Sequence, residues 1–371
     1  MQTVLEPHWI DAFEAIIRRC GVQAGDTVAI LCETQSRAVL PTLARLAAAR
    51  TGAKAFTLTL PTVASPGTPL IRSTGASTAI GGIAPVVQAL GASTLVLDCT
   101  VEGLMHAPEL AAILHAGARV VYVSNEHPEA LCRLLPTDAL EPMVKEHTKR
   151  MRAAKLMTVQ SEAGTDLRIS LEGAVVGGNW GTTTRPGTMT HWPGGLVLAF
   201  PAAGSVNGRL VLNTGDVNLT FKRYIEQPIT LTIENDYVTQ IEGAGVDAQL
   251  MREYIAAWGD KEAVPGTQRD RAVPGTQRDR AVPGTQRDRA AYAVSHLGYG
   301  LNRQARWDSM AMLDKGDFNG TELRAVAGNF LYSTGANEIA KRYTLGHFDL
   351  PLKACTIALD GALVVERGQV L

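Results

Sequence analysis

The stretch DTVAILCETQSRAVLPTLARLAAARTGAKAFTLTLP, residues 26–61, sets the fold of the first half of the chain. It opens on the apolar run "TVAILC", continues with apolar residues that recur every three to four positions, and closes on a second run, "AFTLTL". Short apolar runs are typical of buried strands, and the longer period is typical of an amphipathic helix. The order strand, helix, strand predicts two parallel strands joined by a crossover helix.

The same alternation continues on the C-terminal side of this stretch. The runs "TLVLDCT" (94–100) and "ARVVYVSNE" (118–126) predict two further buried strands, with helical segments between them. The segment "IGGIAPVVQALG" (80–91) places glycines before a helix but lacks GxGxxG, so a dinucleotide site is not expected. We therefore predict an α/β domain with a mostly parallel sheet over residues 1–150.

From about Met157 the pattern changes to alternating polar and apolar residues. Segments such as "GGLVLAFPAAGSVNGRLVLNTG" (194–215) and "PITLTIENDYVTQIEG" (228–243) contain NG or ND turn signals, which favour antiparallel strands. A helix is predicted within "DAQLMREYIAAWGDKEA" (247–263). The second predicted domain, residues 151–371, is a β-rich α+β metal-binding domain.

The segment 263–289 consists of three tandem copies of "AVPGTQRDR". Each copy carries a Pro-Gly turn signal, two arginines and one aspartate, and no apolar residue beyond Ala and Val. A unit of this size is too short for a solenoid repeat, and its polarity leaves too little apolar surface to offset ordering. We predict an exposed, mobile insertion.

Composition excludes several partners. The chain has 371 residues, 46% of them hydrophobic, and 35 basic against 36 acidic residues. A charge near zero provides no field for nucleic acid or an anionic membrane surface, and no stretch approaches a membrane span in length. The five cysteines are scattered without a CxxC pair, and the N-terminus does not resemble a signal peptide. We expect reduced thiols in a cytoplasmic protein.

A candidate metal site begins with "LGHFDLP" near the C-terminus. His347 and Asp349 are two residues apart in a predicted strand, so their side chains share one face with bases about 6 to 7 Å apart. An imidazole and a carboxylate at this spacing can bind one small ion. The alternative is a polar face or a single His–Asp hydrogen bond, and only a third ligand would favour the metal.

The other histidines are the candidates for that third position. Four lie on predicted helices or at turns without companion ligands and are interpreted as surface or helix-end residues: His8, His115, His127 and His147. His296, in "AYAVSHLGYGLN", follows an apolar run and precedes a glycine-rich turn, so it is either an ordinary buried histidine or a ligand. Two imidazoles and one carboxylate suit a ferrous ion in non-haem oxygenases, and zinc also accepts them.

The segments "HWPGGLVLAFP", "NGRLVLNTG", "SHLGYGLN", "GNFLYSTGAN" and "LGHFDLP" resemble, in this order, the C-terminal domain of the thermophilic-aminopeptidase family of metallopeptidases. The resemblance covers roughly Met157 to Leu371. Where that family carries two glutamates, this chain has Leu196 and His296, and the position of a family histidine falls near Asn329. The ligands of a second metal are depleted, so a two-metal hydrolase is not expected.

A divergent branch, the 2,5-dihydroxypyridine 5,6-dioxygenases of nicotinic acid breakdown, is more similar. It shares the histidine at His296, the "HWP" segment from His191, and the terminal "HxD". The resemblance implies one Fe(2+) bound by His296, His347 and Asp349, and an extradiol-type dioxygenase that converts 2,5-dihydroxypyridine, a small aromatic substrate, and O2 to N-formylmaleamate. It also implies a symmetric homo-oligomer, for which a hexamer is one possibility. The triple repeat departs from the branch pattern.

Three further residues receive roles in this reaction. His106, in "GLMHAPEL", follows a strand of the first domain and is predicted to be the general base, the alternative being a helix-start histidine. His191 is expected to donate a hydrogen bond to a ring oxygen of the substrate, and Ser333, in "LYSTGAN", to do likewise. Trp192, beside His191, is interpreted as a core residue.

Two other functions remain open from the sequence. The first is a zinc hydrolase of aminopeptidase type with the metal in the same site, against which the missing glutamates argue. The second is a metal-free binding protein of the same fold, against which the retained "HxD" argues.

Removal of two of the three repeat copies tests the interpretation of the insertion. Because the segment is polar and has no core, and because loop closure depends only slowly on length, the free energy of unfolding should stay within about 1 kcal/mol of the parent value. Chemical denaturation of the two proteins measures the difference. A large fall in the melting temperature would show instead that the repeat is packed.

Overall fold

The computed structural model describes residues 4–63, 77–259, 289–342, 344 and 346–371. The repeat predicted at 263–289 lies outside the described residues up to residue 288.

The helices and strands of the first part of the described chain are, in order, α1 (Pro7–Arg19), β1 (Thr27–Glu33), α2 (Val39–Arg50), β2 (Lys54–Leu60), α3 (Ala84–Gly91), β3 (Leu95–Asp98), α4 (Leu110–His115), β4 (Arg119–Val123), α5 (Pro128–Arg133) and α6 (Leu140–Ala153). Those of the second part are β5 (Leu156–Gln160), β6 (Asp166–Ser170), β7 (Val175–Asn179), β8 (Met189–Trp192), β9 (Leu196–Phe200), β10 (Val206–Leu212), β11 (Val217–Asn218), β12 (Arg223–Tyr224), β13 (Ile229–Glu234), β14 (Tyr237–Glu242), α7 (Gly245–Gly259), β15 (Val294–Gly300), α8 (Ser309–Met312), α9 (Thr321–Ala325), β16 (Phe330–Thr334), β17 (Phe348–Leu352), β18 (Thr356–Leu359), β19 (Ala362–Glu366) and β20 (Gln369–Val370).

The predicted parallel sheet is present in the first part of the chain. Its strands lie in the order β2-β1-β3-β4-β8, and each neighbouring pair is parallel. Successive residues of β1 belong to different core clusters: Val28 and Ile30 pack with α1 and α2, whereas Ala29 and Leu31 pack toward α3 and α4. Because apolar residues are needed on both faces, the central strands read as continuous apolar runs. The α/β expectation is confirmed.

Strand β2 differs from its prediction in burial. The sequence predicts a buried strand, but most residues of β2 are exposed or half-buried, and only Leu60 is buried. The reason is its place at the edge of the sheet, where it has one neighbouring strand. Its apolar residues also alternate with threonines, as in a strand with only one face toward the core.

The fifth strand comes from beyond the predicted domain boundary. Strand β8 pairs with β4 so that His191 lies opposite Tyr122 and Trp192 opposite Val123. Trp192 is fully buried, with its ring centroid 5.0 Å from that of Phe13 in α1, so it packs in the core. The division at residue 150 stays a prediction, and β8 is a segment of the second part that belongs to the first sheet.

Two antiparallel sheets make up most of the rest of the described core, beside the short β11-β12 pair and its own small apolar cluster. One has the order β14-β13-β10-β6-β5-β18-β19-β20 and the other β17-β16-β15-β9-β7. Apolar residues of both sheets form one cluster, which also contains the buried faces of α6 and α7. The β-rich α+β expectation is therefore confirmed for this part of the chain.

Strand β15 runs through the centre of the second of these sheets. At its Gly298 an added Cβ would lie 1.9 Å from the carbonyl oxygen of Val197 in β9, so only glycine permits this approach. The pairing of β15 with β16 shifts register between Val294 and Leu297, and such irregularities redirect side chains. Ser295 and His296 lie within this shifted segment.

The sequence predicts a surface or helix-end position for His147, and this prediction is wrong. It lies on the buried face of α6 and is 5% exposed, and its Nδ1 is 3.1 Å from the hydroxyl of Tyr299 in β15. The helix approaches the sheet closely because β7 has Gly178 beneath Val144 and Thr148. This close approach carries His147 into the core, where its polar atom requires a partner.

None of the described helices combines the length and the apolar character that a membrane span requires.

Candidate metal centre and active-site cavity

A cavity of about 500 Å³ lies between the carboxyl ends of the parallel strands and one end of the sheet that contains β15. Ligand sites of open parallel sheets occur at this edge. The residues that line the cavity from the first sheet and its loops are Val101, Glu102, Met105, His106, Tyr122, Asn125 and His191. Those from the antiparallel sheet and the neighbouring loops are Asn179, Leu196, Leu198, Phe200, Leu219, Thr220, Phe221, Lys222, His296, Phe318, Asn319, Thr321, Arg324, Leu331, His347 and Asp349.

The three predicted metal ligands converge in this cavity. One possible ligand atom from each of His296, His347 and Asp349 lies within 4.8 Å of the others. The Oδ1 atom of Asp349 is 3.1 Å from Nε2 of His347 and 3.6 Å from Nε2 of His296, and the two imidazole rings are stacked with centroids 5.7 Å apart. This group could hold a metal ion.

The local structure around His296 directs the lone pair of its Nε2 atom toward the candidate metal site. Ser295 Oγ donates its single hydrogen to the carbonyl oxygen of Ala336, at 2.5 Å. It therefore acts as an acceptor toward His296 Nδ1, 3.1 Å away, which places the imidazole proton on Nδ1 and leaves Nε2 free to bind a metal. Burial lowers the pKa of His296 to about 3, so the ring is neutral, as a ligand must be.

Asp349 is a buried carboxylate with several polar partners. Its Oδ2 accepts a hydrogen bond from Nε of Arg324 at 2.6 Å, and its Oδ1 accepts one from the hydroxyl of Ser333, which is its direct cross-strand partner. Burial alone would raise the pKa of Asp349, but the Arg324 guanidinium and His347 outweigh it and hold the pKa well below its ordinary value. The carboxylate is ionised at neutral pH, as metal binding requires.

His347 is supported through its main chain. Its carbonyl oxygen accepts hydrogen bonds from the hydroxyl of Thr220 at 2.8 Å and of Tyr254 in α7 at 3.3 Å. Gly335, with φ of +119°, allows the chain to pass close by, because a Cβ there would lie 2.6 Å from the carbonyl oxygen of Gly346 and 3.2 Å from His347 Nδ1. The ligand is thus fixed by a helix, a loop and a glycine turn.

The first sheet contributes His106 and His191 to the opposite wall. His106 lies in the loop after β3, and His191 on β8 packs edge-on against Tyr122 with centroids 5.3 Å apart. Burial lowers the pKa of His191 to about 3, so it is neutral, and its Nε2 has no hydrogen-bond partner within the described part of the chain. Both residues face the same cavity as the ligands, so the tertiary structure brings the predicted set together apart from Ser333.

The loop that carries His106 is organised by Asp98 at the end of β3. Asp98 accepts hydrogen bonds from the main-chain and side-chain groups of Thr100 and from the amide of Leu104 at 2.8 Å. Burial raises the pKa of Asp98 to about 6 even though these bonds favour its charged form. The carboxylate fixes the chain immediately before His106.

Ser333 does not have the position predicted for it. It is fully buried on β16, is absent from the cavity lining, and donates its hydroxyl to Asp349. The prediction of a substrate contact is corrected accordingly: the residue orients Asp349, the predicted ligand. The cause is the register of β16 and β17, which pairs Ser333 with Asp349; the sequence contains no signal for that register.

Two positions that the resemblance relates to a second metal site make other contacts in the described part of the chain. Leu196, where the peptidases carry a glutamate, adds an apolar side chain to the cavity wall. Asn329 is fully engaged elsewhere: its Oδ1 accepts from the amide of Gly300 at 2.7 Å, and its Nδ2 donates to the carbonyl oxygens of Leu323 and Arg324. His296, His347 and Asp349 are the one ligand cluster found in the described residues.

Sequence reasoning missed Arg324 and Lys222. Arg324 lies on the short helix α9 and is distant in sequence from its partner Asp349, so no local pattern marks it. Lys222 adopts a positive φ of 53° in the β11–β12 turn and donates from Nζ to the carbonyl oxygen of Lys315 at 2.6 Å. A lysine in a left-handed turn has no sequence signature, although such strained residues cluster at functional sites.

A family model described as 2,5-dihydroxypyridine 5,6-dioxygenase (NicX) matches residues 8–265 and 280–371. The chain belongs to this family. The unmatched residues 266–279 lie inside the repeat, so part of the repeat is an insertion relative to the family pattern.

Individual relatives agree with this assignment. A 2,5-dihydroxypyridine 5,6-dioxygenase from Pseudomonas putida is 33% identical over 364 residues, which cover 97% of this chain and 95% of the relative. The solved structure of 2,5-dihydroxypyridine dioxygenase from Pseudomonas putida KT2440 is similar with a TM-score of 0.85 at 31% identity, over 100% of this chain and 98% of that one. Wild-type AmpT from Thermus thermophilus, at 14% identity and a TM-score of 0.54 over 98% and 99% of the two chains, shares the fold.

Replacement of a ligand tests the metal centre. Loss of an outer partner of a ligand costs about 10- to 100-fold in metal affinity, and His296→Ala and His347→Ala should each cost more because a donor atom disappears. Metal content after anaerobic loading and dialysis measures the effect. His115→Ala, an exposed change at the end of α4, is the matched control and should retain metal. Full occupancy in either ligand variant would remove that residue from the set.

Proposed function

We propose that the protein is an Fe(2+)-dependent extradiol-type dioxygenase that opens the ring of 2,5-dihydroxypyridine with O2 to give N-formylmaleamate, a step of nicotinate degradation. The observation that carries the proposal is the convergence of two imidazoles and one ionised carboxylate on one wall of a cavity, in a chain of the 2,5-dihydroxypyridine 5,6-dioxygenase family. The cavity volume of about 500 Å³ suits a small aromatic substrate.

The donor set favours iron for this chemistry. Two neutral imidazoles and a carboxylate leave coordination positions free for substrate and dioxygen together, and they are the ligands of non-haem ferrous oxygenases. A ferrous ion held there would supply electrons for the reduction of dioxygen and would lower the pKa of a ring hydroxyl. Ser295 keeps His296 in its orientation, and Ser333 and Arg324 do the same for Asp349.

His106 is the proposed general base. It faces the cavity opposite the ligands, in a loop that Asp98 fixes, and imidazole has a pKa suited to taking a proton from a ring hydroxyl near neutral pH. Removal of this proton makes the ring electron-rich, which its attack by oxygen requires. The proton stays on the imidazole until the product can accept it.

His191 and the apolar wall are proposed to hold the ring. His191 is neutral and therefore has one N–H group that can donate to a ring oxygen. Leu196, Leu198, Phe200 and Leu331 line the cavity beside the ligands and exclude water from the reacting ring. Together they favour a flat, uncharged substrate body with polar groups at its edge.

The cellular setting is proposed from the thiols and the family. All five cysteines are free, and four of them are buried, which suits a reducing compartment such as the cytoplasm. The resemblance to the dioxygenase branch supports a symmetric homo-oligomer, for which we propose a hexamer. Size-exclusion chromatography with light scattering measures the subunit number.

Oxygen uptake tests the function. Protein reconstituted anaerobically with Fe(2+) should consume 2,5-dihydroxypyridine and O2 in equal amounts, because both oxygen atoms enter the product. Zn(2+) should bind at the same site, but the zinc-loaded protein should not turn over, since zinc does not change its oxidation state. Short peptides and aminoacyl amides should remain intact with either metal. Peptide hydrolysis by the zinc form, with no oxygen uptake by the iron form, would contradict the proposal.

His106→Ala tests the proton transfer separately. The variant should retain iron, because His106 is not a ligand, yet turn over about 10²- to 10⁴-fold more slowly if the residue is the general base. Steady-state rates per bound iron measure this effect, and added imidazole should restore part of the rate. An unimpaired rate would assign His106 a structural role.

A further inference from the structure

The buried carboxylate of Glu126 connects the two parts of the molecule. Glu126 follows β4 in the first sheet and is fully buried. Its Oε2 accepts a hydrogen bond from the amide of Asn319 at 2.8 Å, and its Oε1 accepts from the amides of Gly320 at 2.8 Å and Thr321 at 2.9 Å. Three successive main-chain N–H groups, more than 190 residues away in sequence, thus bind one carboxylate of the first sheet.

Two further contacts hold the same segment. The hydroxyl of Ser124 lies 2.7 Å from that of Thr321, and Arg133 in α5 forms a bidentate ion pair with Glu322 at 2.5 and 3.0 Å. Ser124, Glu126 and Arg133 all belong to the first part of the chain. They fix the start of α9, because each of the consecutive residues 319–322 accepts or donates a hydrogen bond to the first part of the chain.

The far end of the same short helix carries Arg324, whose Nε donates to Asp349 Oδ2 at 2.6 Å. The backbone after it is also restrained, since Asn329 donates to the carbonyl oxygens of Leu323 and Arg324. A helix of one turn that is held at both ends cannot move independently of its anchors. A displacement at Asn319 to Thr321 therefore changes the place from which Arg324 reaches Asp349.

We propose that Glu126 is a positioning residue for the metal centre: it fixes α9, and through Arg324 it orients the ligand Asp349 relative to the first sheet. The inference rests on the proposed metal site. Glu126 does not line the cavity, yet the inference gives it a role at the metal site. It also explains why the Glu126 carboxylate binds the main-chain amides of residues 319–321 in the other part of the chain. The same contact sets the distance between His106 on one wall and the ligands on the other.

Glu126→Gln is the test substitution. The side chain keeps its length, but an NH2 donor replaces one acceptor oxygen and faces a main-chain N–H, so the segment 319–321 must shift. The affinity of the full-length protein for Zn(2+), measured by competition with a chromophoric chelator, should fall about 10- to 100-fold, the usual cost of losing an outer partner of a ligand. This readout does not depend on turnover.

Asp216→Asn is the matched control. Asp216 is also a buried carboxylate that accepts two main-chain hydrogen bonds, from Asn213 at 2.7 Å and Lys353 at 2.8 Å. Neither of these partners lines the active-site cavity. The control should lose thermal stability to a comparable degree while its Zn(2+) affinity stays within about 2-fold of the wild type.

A double-mutant cycle with Arg324→Lys separates positioning from general destabilisation. If Glu126 acts through Arg324, the double variant should bind Zn(2+) about as weakly as the weaker single variant. If the losses of Zn(2+) affinity in the two single variants multiply in the double variant, or if the affinity of Glu126→Gln is unchanged, the proposal is overturned.

If Glu126→Gln does not fold, Ser124→Ala probes the same segment more mildly and should weaken Zn(2+) binding about 3-fold. Unchanged Zn(2+) binding in that variant would also overturn the proposal. A wild type that binds no Zn(2+) would contradict the metal site itself.

Discussion

The burial of one carboxylate, that of Asp349, is the constraint on which the site depends. An ionised group out of water is costly unless charged and hydrogen-bonding partners surround it. Here Arg324 and Ser333 bind its two oxygens, and the imidazoles of His296 and His347 face the same atom as Ser333 does. These partners come from β15, β16, α9 and the residue before β17, so the carboxylate can be stabilised only when all of these segments are in place.

The two halves of the molecule divide the chemistry between them. The antiparallel sheet provides the proposed ligands His296 and Asp349 on strands whose positions are fixed by cross-strand pairing, and His347 directly precedes β17. The parallel sheet provides His106 from a loop and His191 from its last strand, at the edge where open parallel sheets expose their loops. The proposed metal centre thus faces the groups proposed to handle substrate and protons, and buried acids such as Asp98 and Glu126 fix the loops between them.

Much of this arrangement could be predicted from short-range patterns. The proximity of His347 and Asp349 could be predicted from the two-residue period of a strand, although β17 begins only at Phe348. The parallel sheet follows from apolar runs that alternate with helical segments. The position of His296 required the family resemblance, because a lone histidine in an apolar run has an ordinary structural explanation. The opposite error occurs at His147: a lone helical histidine with no other ligand type nearby in sequence is expected at the surface, but it is buried against Tyr299.

The sequence by itself determined the types of element and, with the family resemblance, predicted the three ligands, since each depends on residues that are neighbours along the chain or on a recognisable order of segments. Only the tertiary structure decided which groups surround those ligands. The register of β16 against β17 turned Ser333 toward Asp349, and the packing of α9 against the first sheet placed Arg324 and Glu126 in one connected network. These contacts join residues far apart in sequence, and their hydrogen bonds form only when folding brings buried polar groups together that have no other partner.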